Sequence, residues 1–145
     1  PVYFKFSNDF YVPDGAMLKK ITINYDRNYK VSFLYNEEEK KYYRFINGDP
    51  MKDKETKKDI KATNILIEKV GIKVLDSVGR LQLSNIGKNR GYLITGGRLI
   101  EIEYQKDNRN GKTAYKDIKG NEIQLNKGIT WIQVVSQSTK IDFEE

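Results

Sequence analysis

Residues 106–117 read KDNRNGKTAYKD and contain Gly111-Lys112-Thr113, the closing residues of a phosphate-binding loop. In such a loop consecutive backbone N–H groups curl around phosphate oxygens. That needs a glycine five residues before the second one, and a helix whose N-terminus faces the anion. The required position is Lys106, and the AYKDIKGNEI that follows has the alternation and turn residues of strand and hairpin. The stretch reads as a basic hairpin tip, with Lys106, Arg109 and Lys112 as candidate contacts to an anionic surface.

The rest of the chemical inventory is narrow. The chain has no His and no Cys, which removes Ser-His and Cys-His catalysis, His- or thiolate-ligated metals and thiol redox chemistry. Calcium loops place oxygen ligands at alternate positions before a glycine. In DNRNG the third position is Arg109, and in DPMKDKETKKD the acids Asp49, Asp53, Glu55 and Asp59 alternate with lysines, as in a solvated, self-neutralising run. No metal or other cofactor is implied. Glu101 and Glu103 share one strand face about 7 Å apart, a spacing that suits an inverting glycosidase only if a cleft surrounds it. Such pairs usually face water.

Three further polar features stand out. Asn64 precedes the apolar ILIE, while Asp76 and Arg80 bracket the Ser77-Val78-Gly79 turn. All three are candidates for turn-fixing or binding. Lysine and tyrosine interleave in EKKYYRFING, as in a nucleic-acid stacking platform. Strand alternation, however, points Tyr42 and Tyr43 to opposite faces, so at most one is exposed, and no RNP-like or helix-turn-helix signature accompanies them. Trp131 lies in the apolar ITWIQVV and reads as core, with its indole N–H paired locally.

The elements that must position these residues are strands. YKVSFLYN sets Tyr29, Val31, Phe33 and Tyr35 against Lys30, Ser32 and Asn36. KKITINY and RLIEIEY repeat the pattern with Ile21, Ile23 and Tyr25, and with Ile100, Ile102 and Tyr104. ITWIQVV is apolar on both sides and reads as a central strand. ATNILIEKVGIKVLD reads as two strands, or as one bent at Gly71. Turn residues recur at Asn47-Gly48, Gly96-Gly97, Asn110-Gly111, Gly120-Asn121 and Asn126-Lys127-Gly128. Residues 49–60 are polar all round and read as a solvated loop. About ten short strands at this spacing predict an all-β fold, an antiparallel β-sandwich or partly open barrel. Residues 1–16 read as an incoming strand or linker from an upstream domain, and residues 17–145 as a single domain.

The 145 residues suffice to bury roughly 70% of the unfolded surface without disulfides or metals. Ten Tyr and six Phe argue against disorder, although 32% of the chain is charged. The net charge of +6 permits an acidic partner without demanding one. No apolar run is long enough for a membrane-spanning helix. The start at Pro1, with no Met and no signal-like segment, suggests a mature portion or excised domain.

Residues 42–68 (YYRFINGDPMKDKETKKDIKATNILIE), 75–104 (LDSVGRLQLSNIGKNRGYLITGGRLIEIEY) and 115–135 (YKDIKGNEIQLNKGITWIQVV) resemble, in order and spacing, the C-terminal domain of the YerB-like lipoprotein family of Gram-positive bacteria. The likeness runs from about residue 17 to 135 and takes in Arg44, Asn64, Asp76, Arg80, Gly91, Tyr92, Gly128 and Trp131. Two positions depart from the pattern: Asn89 where a glycine is expected, and Gly111-Lys112 at the hairpin tip in place of a small residue and Pro. The resemblance implies an extracytoplasmic location, anchored to the membrane through a lipid outside this chain. It implies no reaction.

These readings converge on a non-catalytic module that binds a cell-envelope polymer or an envelope protein, with no nucleic acid; no sequence feature indicates an oligomeric state. The candidate binding residues are Asn64, Asp76, Arg80, Tyr92, Lys106, Arg109 and Lys112. A glycan-processing enzyme using carboxylates is the first alternative and requires a pocket with two or more of them within reach of each other. A nucleic-acid-binding β-domain is the second, and requires a contiguous Lys/Arg stripe with exposed Tyr.

Overall fold

The computed structural model describes residues 4–74, 81–84, 87–107 and 112–145, which contain strands and turns but no helix. In chain order the strands are β1 (Lys5–Phe6), β2 (Ala16–Met17), β3 (Lys20–Asp26), β4 (Tyr29–Asn36), β5 (Lys41–Ile46), β6 (Asp49–Pro50), β7 (Lys61–Ala62) and β8 (Asn64–Val74). They continue as β9 (Leu81–Ser84), β10 (Gly87–Thr95), β11 (Arg98–Asp107), β12 (Lys112–Asp117), β13 (Gln124–Leu125), β14 (Thr130–Ser136) and β15 (Lys140–Glu144). Five of these fifteen are two residues long, and the other ten have four residues or more.

Two sheets form a sandwich. One is antiparallel throughout, in the order β15-β3-β4-β5-β6 with β7 also paired to β5. The other runs β12-β11-β10-β8-β14, with β2 on β11 and β9 on β8. Here β14 lies parallel to β8, and β1 pairs in parallel with β13, so the arrangement is not purely antiparallel. No barrel closes among the described strands. The tight hairpins turn through Asn47-Gly48 and Gly96-Gly97. All four residues have positive φ, which matches the right-handed twist of the flanking strands.

Strand alternation fixes which residues meet between the sheets. Ile21, Ile23, Val31, Phe33 and Tyr42 from one sheet pack on Ile65, Ile67, Ile94 and Val135 from the other. The opposite face of the second sheet is covered too: Leu66, Leu93, Ile102, Tyr104 and Tyr115 pack with Ile123 and Leu125, and Phe4 lies against them. Burial on both faces explains the unbroken apolar run at Ile65-Leu66-Ile67, each of which is fully buried. Each such side chain contributes about 2 kcal/mol. Residues 64–74 form one strand, which changes partners at Gly71, from β10 and β14 to β9.

Two sequence expectations change. β14 is an edge strand rather than a central one: Trp131, Gln133 and Val135 face inward, but Ile132 and Val134 are 41% and 47% exposed. Its apolar outer face is left bare because the second core cluster stops at Leu66 and Leu93. Trp131 is only half-buried, although its Nε1 does donate locally, to Gln133 Oε1 at 3.1 Å. By contrast Tyr42 fills the core while Tyr43 lies at the surface layer, as alternation requires. Residues 49–60 form a solvated hairpin closed by the Lys52–Asp59 ion pair at 3.2 Å.

Burial raises the phenol pKa of Tyr42, of Tyr104 and of Tyr115, the last also through its hydrogen bond to Glu68. Unfolded tyrosines ionise near pH 10, so these phenols add full stability below that value. As pH climbs past it, the unfolded chain sheds protons that the folded one keeps, and stability falls. Phenolate absorbance at alkaline pH should show at least three of the ten tyrosines ionising only when the chain unfolds. Ten phenols titrating together near pH 10 in folded protein would contradict this packing.

Candidate functional site

Asn64, at the start of β8, is fully buried. Its Oδ1 accepts from Thr95 Oγ1 at 2.7 Å and from the Asn126 N–H at 3.0 Å. Its Nδ2 donates to the Asn126 carbonyl at 2.8 Å and to Thr130 Oγ1 at 3.1 Å. Asn126 passes the connection outward. Its Oδ1 accepts from the Tyr11 N–H at 2.6 Å, and its Nδ2 donates to the Tyr11 carbonyl at 2.8 Å. A side-chain amide thus pairs with a peptide as a neighbouring strand would. The predicted residue is a structural centre that anchors the N-terminal strap, residues 7–15, onto the sheet.

The outer side of this amide pair borders a cleft of about 250 Å³. The strap forms one wall with Ser7, Asn8 and Phe10. The β4–β5 turn supplies Lys40 and Lys41, and the loop before β14 supplies Lys127. Lys41 Nζ donates to the buried Thr63 Oγ1 at 3.1 Å, and Lys40 Nζ stands 4.5 Å over the Phe10 ring. Among the described residues none of these three ammonium groups has a carboxylate within 4.0 Å.

Glu39 borders the same cleft but is engaged elsewhere. It accepts from Lys61 Nζ at 2.7 Å and from Tyr43 Oη. The bond from Lys61 and then that from Tyr43 lower its carboxyl pKa, keeping it ionised and committed. Asp9 is the other acid at the rim.

The remaining predicted residues do not assemble there. Asp76, Arg80 and Arg109 lie outside the described residues. Lys106 and Lys112 are described by backbone alone: Lys106 pairs with Thr113 and Lys112 with Asp107, so the two fall on neighbouring rungs of the ladder. Tyr92 is half-buried at the edge of the core between the sheets, where Phe143 of β15 meets its ring edge-on at 5.3 Å. Lys69 Nζ lies 5.0 Å from the centre of that ring and 3.3 Å from its hydroxyl. Register aligns Arg90 with Glu103 and Glu103 with Lys116, while Tyr92 pairs with Glu101. Cations and anions alternate across this surface, so it is no contiguous basic stripe.

A second hollow, of about 330 Å³, is lined by Tyr11, Asp14, Glu101 and Asp117 together with the apolar Leu99, Ile100 and Ile118. Burial, then the charges of Asp117 and Asp14, raise the Tyr11 phenol pKa. Asp117 is committed to its turn, with Oδ1 accepting from the N–H groups of Lys119 and Asn121, each at 2.9 Å. No group of three acidic side chains among the described residues is placed to hold a metal.

Arg44 was legible only as part of a recurrent pattern, yet it is 6% exposed. Its guanidinium stacks 4.4 Å over Trp131, with Gln133 Oε1 at 3.5 Å, so its role is in the packing between the sheets. The cleft lysines come from segments far apart in sequence. The local signal for them was the Lys40-Lys41 pair at a turn.

Residues 21–132 match a family model described as the C-terminal domain of a protein of unknown function (DUF3048). The crystal structure of YerB from Bacillus subtilis matches with a TM-score of 0.76 at 22% identity, over 96% of this chain and 46% of that one. That likeness shows the fold, and the chain spans less than half the length of that protein. Among curated proteins none matches the chain.

Replacing Asn64 by Ala orphans buried donors and acceptors on Thr95 and Asn126, and is expected to cost about 3 kcal/mol in urea unfolding. Asn126→Ala should cost a similar amount. The double variant should cost clearly less than the sum, because both act in one network. Additive losses below about 1 kcal/mol each would show that the amides are not the junction.

Proposed function

The chain belongs to the family of DUF3048 C-terminal domains, and from that premise we propose that it is a non-catalytic module that binds an acidic cell-envelope polymer outside the cytoplasmic membrane. The observation that carries this is the cleft of Lys40, Lys41 and Lys127, whose cations lack carboxylate partners among the described residues and whose floor is fixed by the Asn64–Asn126 pair. Exposed single ammonium groups bind anions weakly in salt. Three around one concavity, one of them partly buried, act together on a repeating polyanion. The family resemblance adds the location: a lipid-anchored protein would hold such a cleft facing the wall. An envelope protein with an acidic surface is the other partner of the same chemistry.

One observation favours a second reading, glycan processing. The hollow at Tyr11 brings Asp14, Glu101 and Asp117 to one cavity, as a carboxylate mechanism requires. The turn-capping bonds of Asp117 count against its serving as a free acid or base.

Purified wall material should retain the domain at low salt and release it at high salt. Lys40→Gln, Lys41→Gln and Lys127→Gln together should abolish retention, while Arg90→Gln with Lys116→Gln should leave most of it. Absence of retention at low salt would defeat the polymer reading. Release of reducing ends from that material, lost in Asp14→Asn or Glu101→Gln, would favour the enzyme instead.

A further inference from the structure

We infer that the free edge of β14 is a self-association surface, on which a second copy of this chain adds its own β14, antiparallel, about a two-fold axis at Ile132. The inference is independent of the acidic-polymer reading. Among the described residues β14 ends its sheet, paired to β8 on one side and to no strand on the other. A strand edge is a template for a further strand, and folded proteins guard such edges with charge or proline. The strands that end the two sheets elsewhere are guarded in that way. β12 carries Lys112, Lys116 and Asp117, β15 carries Lys140, Asp142 and Glu144, and β6 is Asp49-Pro50. Residues 129–139, which hold β14 and its flanks, have no charged side chain and no proline.

Backbone direction shows which groups this edge offers. The Asn64 N–H donates to the Ile129 carbonyl at 3.1 Å, so Ile129 faces β8, and alternation turns the N–H and C=O of Thr130, Ile132, Val134 and Ser136 the other way. Two contacts agree with that direction. The Val134 carbonyl accepts from Tyr25 Oη at 2.9 Å, and the Ser136 carbonyl accepts from the Thr139 N–H of its own turn at 3.3 Å. The N–H and C=O of Ile132, between them, have no partner among the described residues. Ile132 and Val134 also leave apolar side chains half-exposed on the outer face of the strand.

An antiparallel strand centred on Ile132 suits these groups, and β14 itself suits the role. Ile132 then exchanges both hydrogen bonds with the partner's Ile132. Thr130 does the same with the partner's Val134, whose carbonyl has a second lone pair beside the Tyr25 bond. On the outer face Ile132 meets its own kind and Val134 meets the partner's Thr130, while on the inner face Trp131 meets the partner's Gln133. Further along, Lys127 falls opposite the partner's Gln137, so a chain of net charge +6 opposes no like charges anywhere in this pairing. That is the self-complementarity a two-fold contact requires. The contact is one strand wide, smaller than the interface of a permanent dimer, so association depends on concentration.

The test is sedimentation equilibrium of this chain across a concentration series, with cysteine pairing as a local probe. The mass should rise from one chain to two. Ile132→Lys sets two ammonium groups face to face and should raise the midpoint concentration roughly tenfold or more. Val134→Lys should act in the same direction. Both side chains are half-exposed, so the thermal midpoint of either variant should change little and separate association from folding. Because the chain has no Cys, Ile132→Cys gives each molecule a single thiol. A hydrogen-bonded antiparallel pair sets the two Cα atoms about 5.5 Å apart, within disulfide reach. Under mild oxidation it should cross-link roughly tenfold faster than Ile118→Cys, because pairing holds its thiols together. Ile118 is 66% exposed and lies in the turn after β12, away from this edge. A single-chain mass at every concentration would overturn the inference. So would dimers that persist in both lysine variants, or Ile118→Cys cross-linking as fast as Ile132→Cys. Dimers lost in the lysine variants, with no cross-link through Ile132→Cys, would overturn the two-fold register about Ile132.

Discussion

The layers of this domain depend on two side-chain amides. Asn64 and Asn126 together bond to the start of β8, the end of β10, the loop before β14 and the strap at Tyr11. Only an amide offers a donor and an acceptor at peptide spacing, so only Asn or Gln lets a side chain pair with the Tyr11 backbone as a strand would. An apolar substitute would leave the Tyr11 N–H and C=O unpaired at a part-buried position. Each group in the cluster is satisfied by another member, which is the condition under which a buried polar network rigidifies a fold rather than weakening it.

Other buried polar residues of the two sheets are satisfied by aromatic neighbours. Glu68 is nearly buried and accepts from Tyr115 Oη at 2.5 Å, while Tyr104 Oη donates to the Lys69 carbonyl at 2.6 Å. Arg44 spreads its charge over the Trp131 ring, and Gln133 connects that pair to Tyr25. At Glu68 and at Arg44 an aromatic side chain stands where an ion-pair partner would. Rings supply both the apolar area that the core needs and the weak polar contact that the buried charge needs. The high tyrosine content is thus a structural solution as much as a compositional oddity.

Strand positions were largely readable because alternation is a local property. YKVSFLYN and KKITINY became β4 and β3 with almost unchanged limits, and of the two readings offered for ATNILIEKVGIKVLD the single strand is the one found. β14 misled for a physical reason: its apolar outer residues, Ile132 and Val134, look like core in sequence, but coverage depends on where the strap and β13 happen to lie. Asn64 was recognisable as a polar residue needing partners, though nothing nearby in sequence named Asn126 or Tyr11. The cleft was least legible. Lys40, Lys41 and Lys127 carry no motif, and only the junction brings their segments together.

The same limit governs the charge. In Glu37-Glu38-Glu39-Lys40-Lys41 acids and bases nearly cancel when summed along the chain. The fold sorts them. The β4–β5 turn brings Glu39, Lys40 and Lys41 to the same cleft but commits Glu39 to Lys61 and Tyr43. On the open half of the second sheet the opposite happens: Arg90 and Lys116 flank Glu103 across neighbouring strands, so that surface stays mixed despite its basic residues. A net charge of +6 therefore says little about where an anion would bind. Local unpaired charge decides it, because screening erases contributions from lysines more than about 10 Å away. By that criterion the cleft is where cationic groups converge among the described residues, with a rigid support behind them.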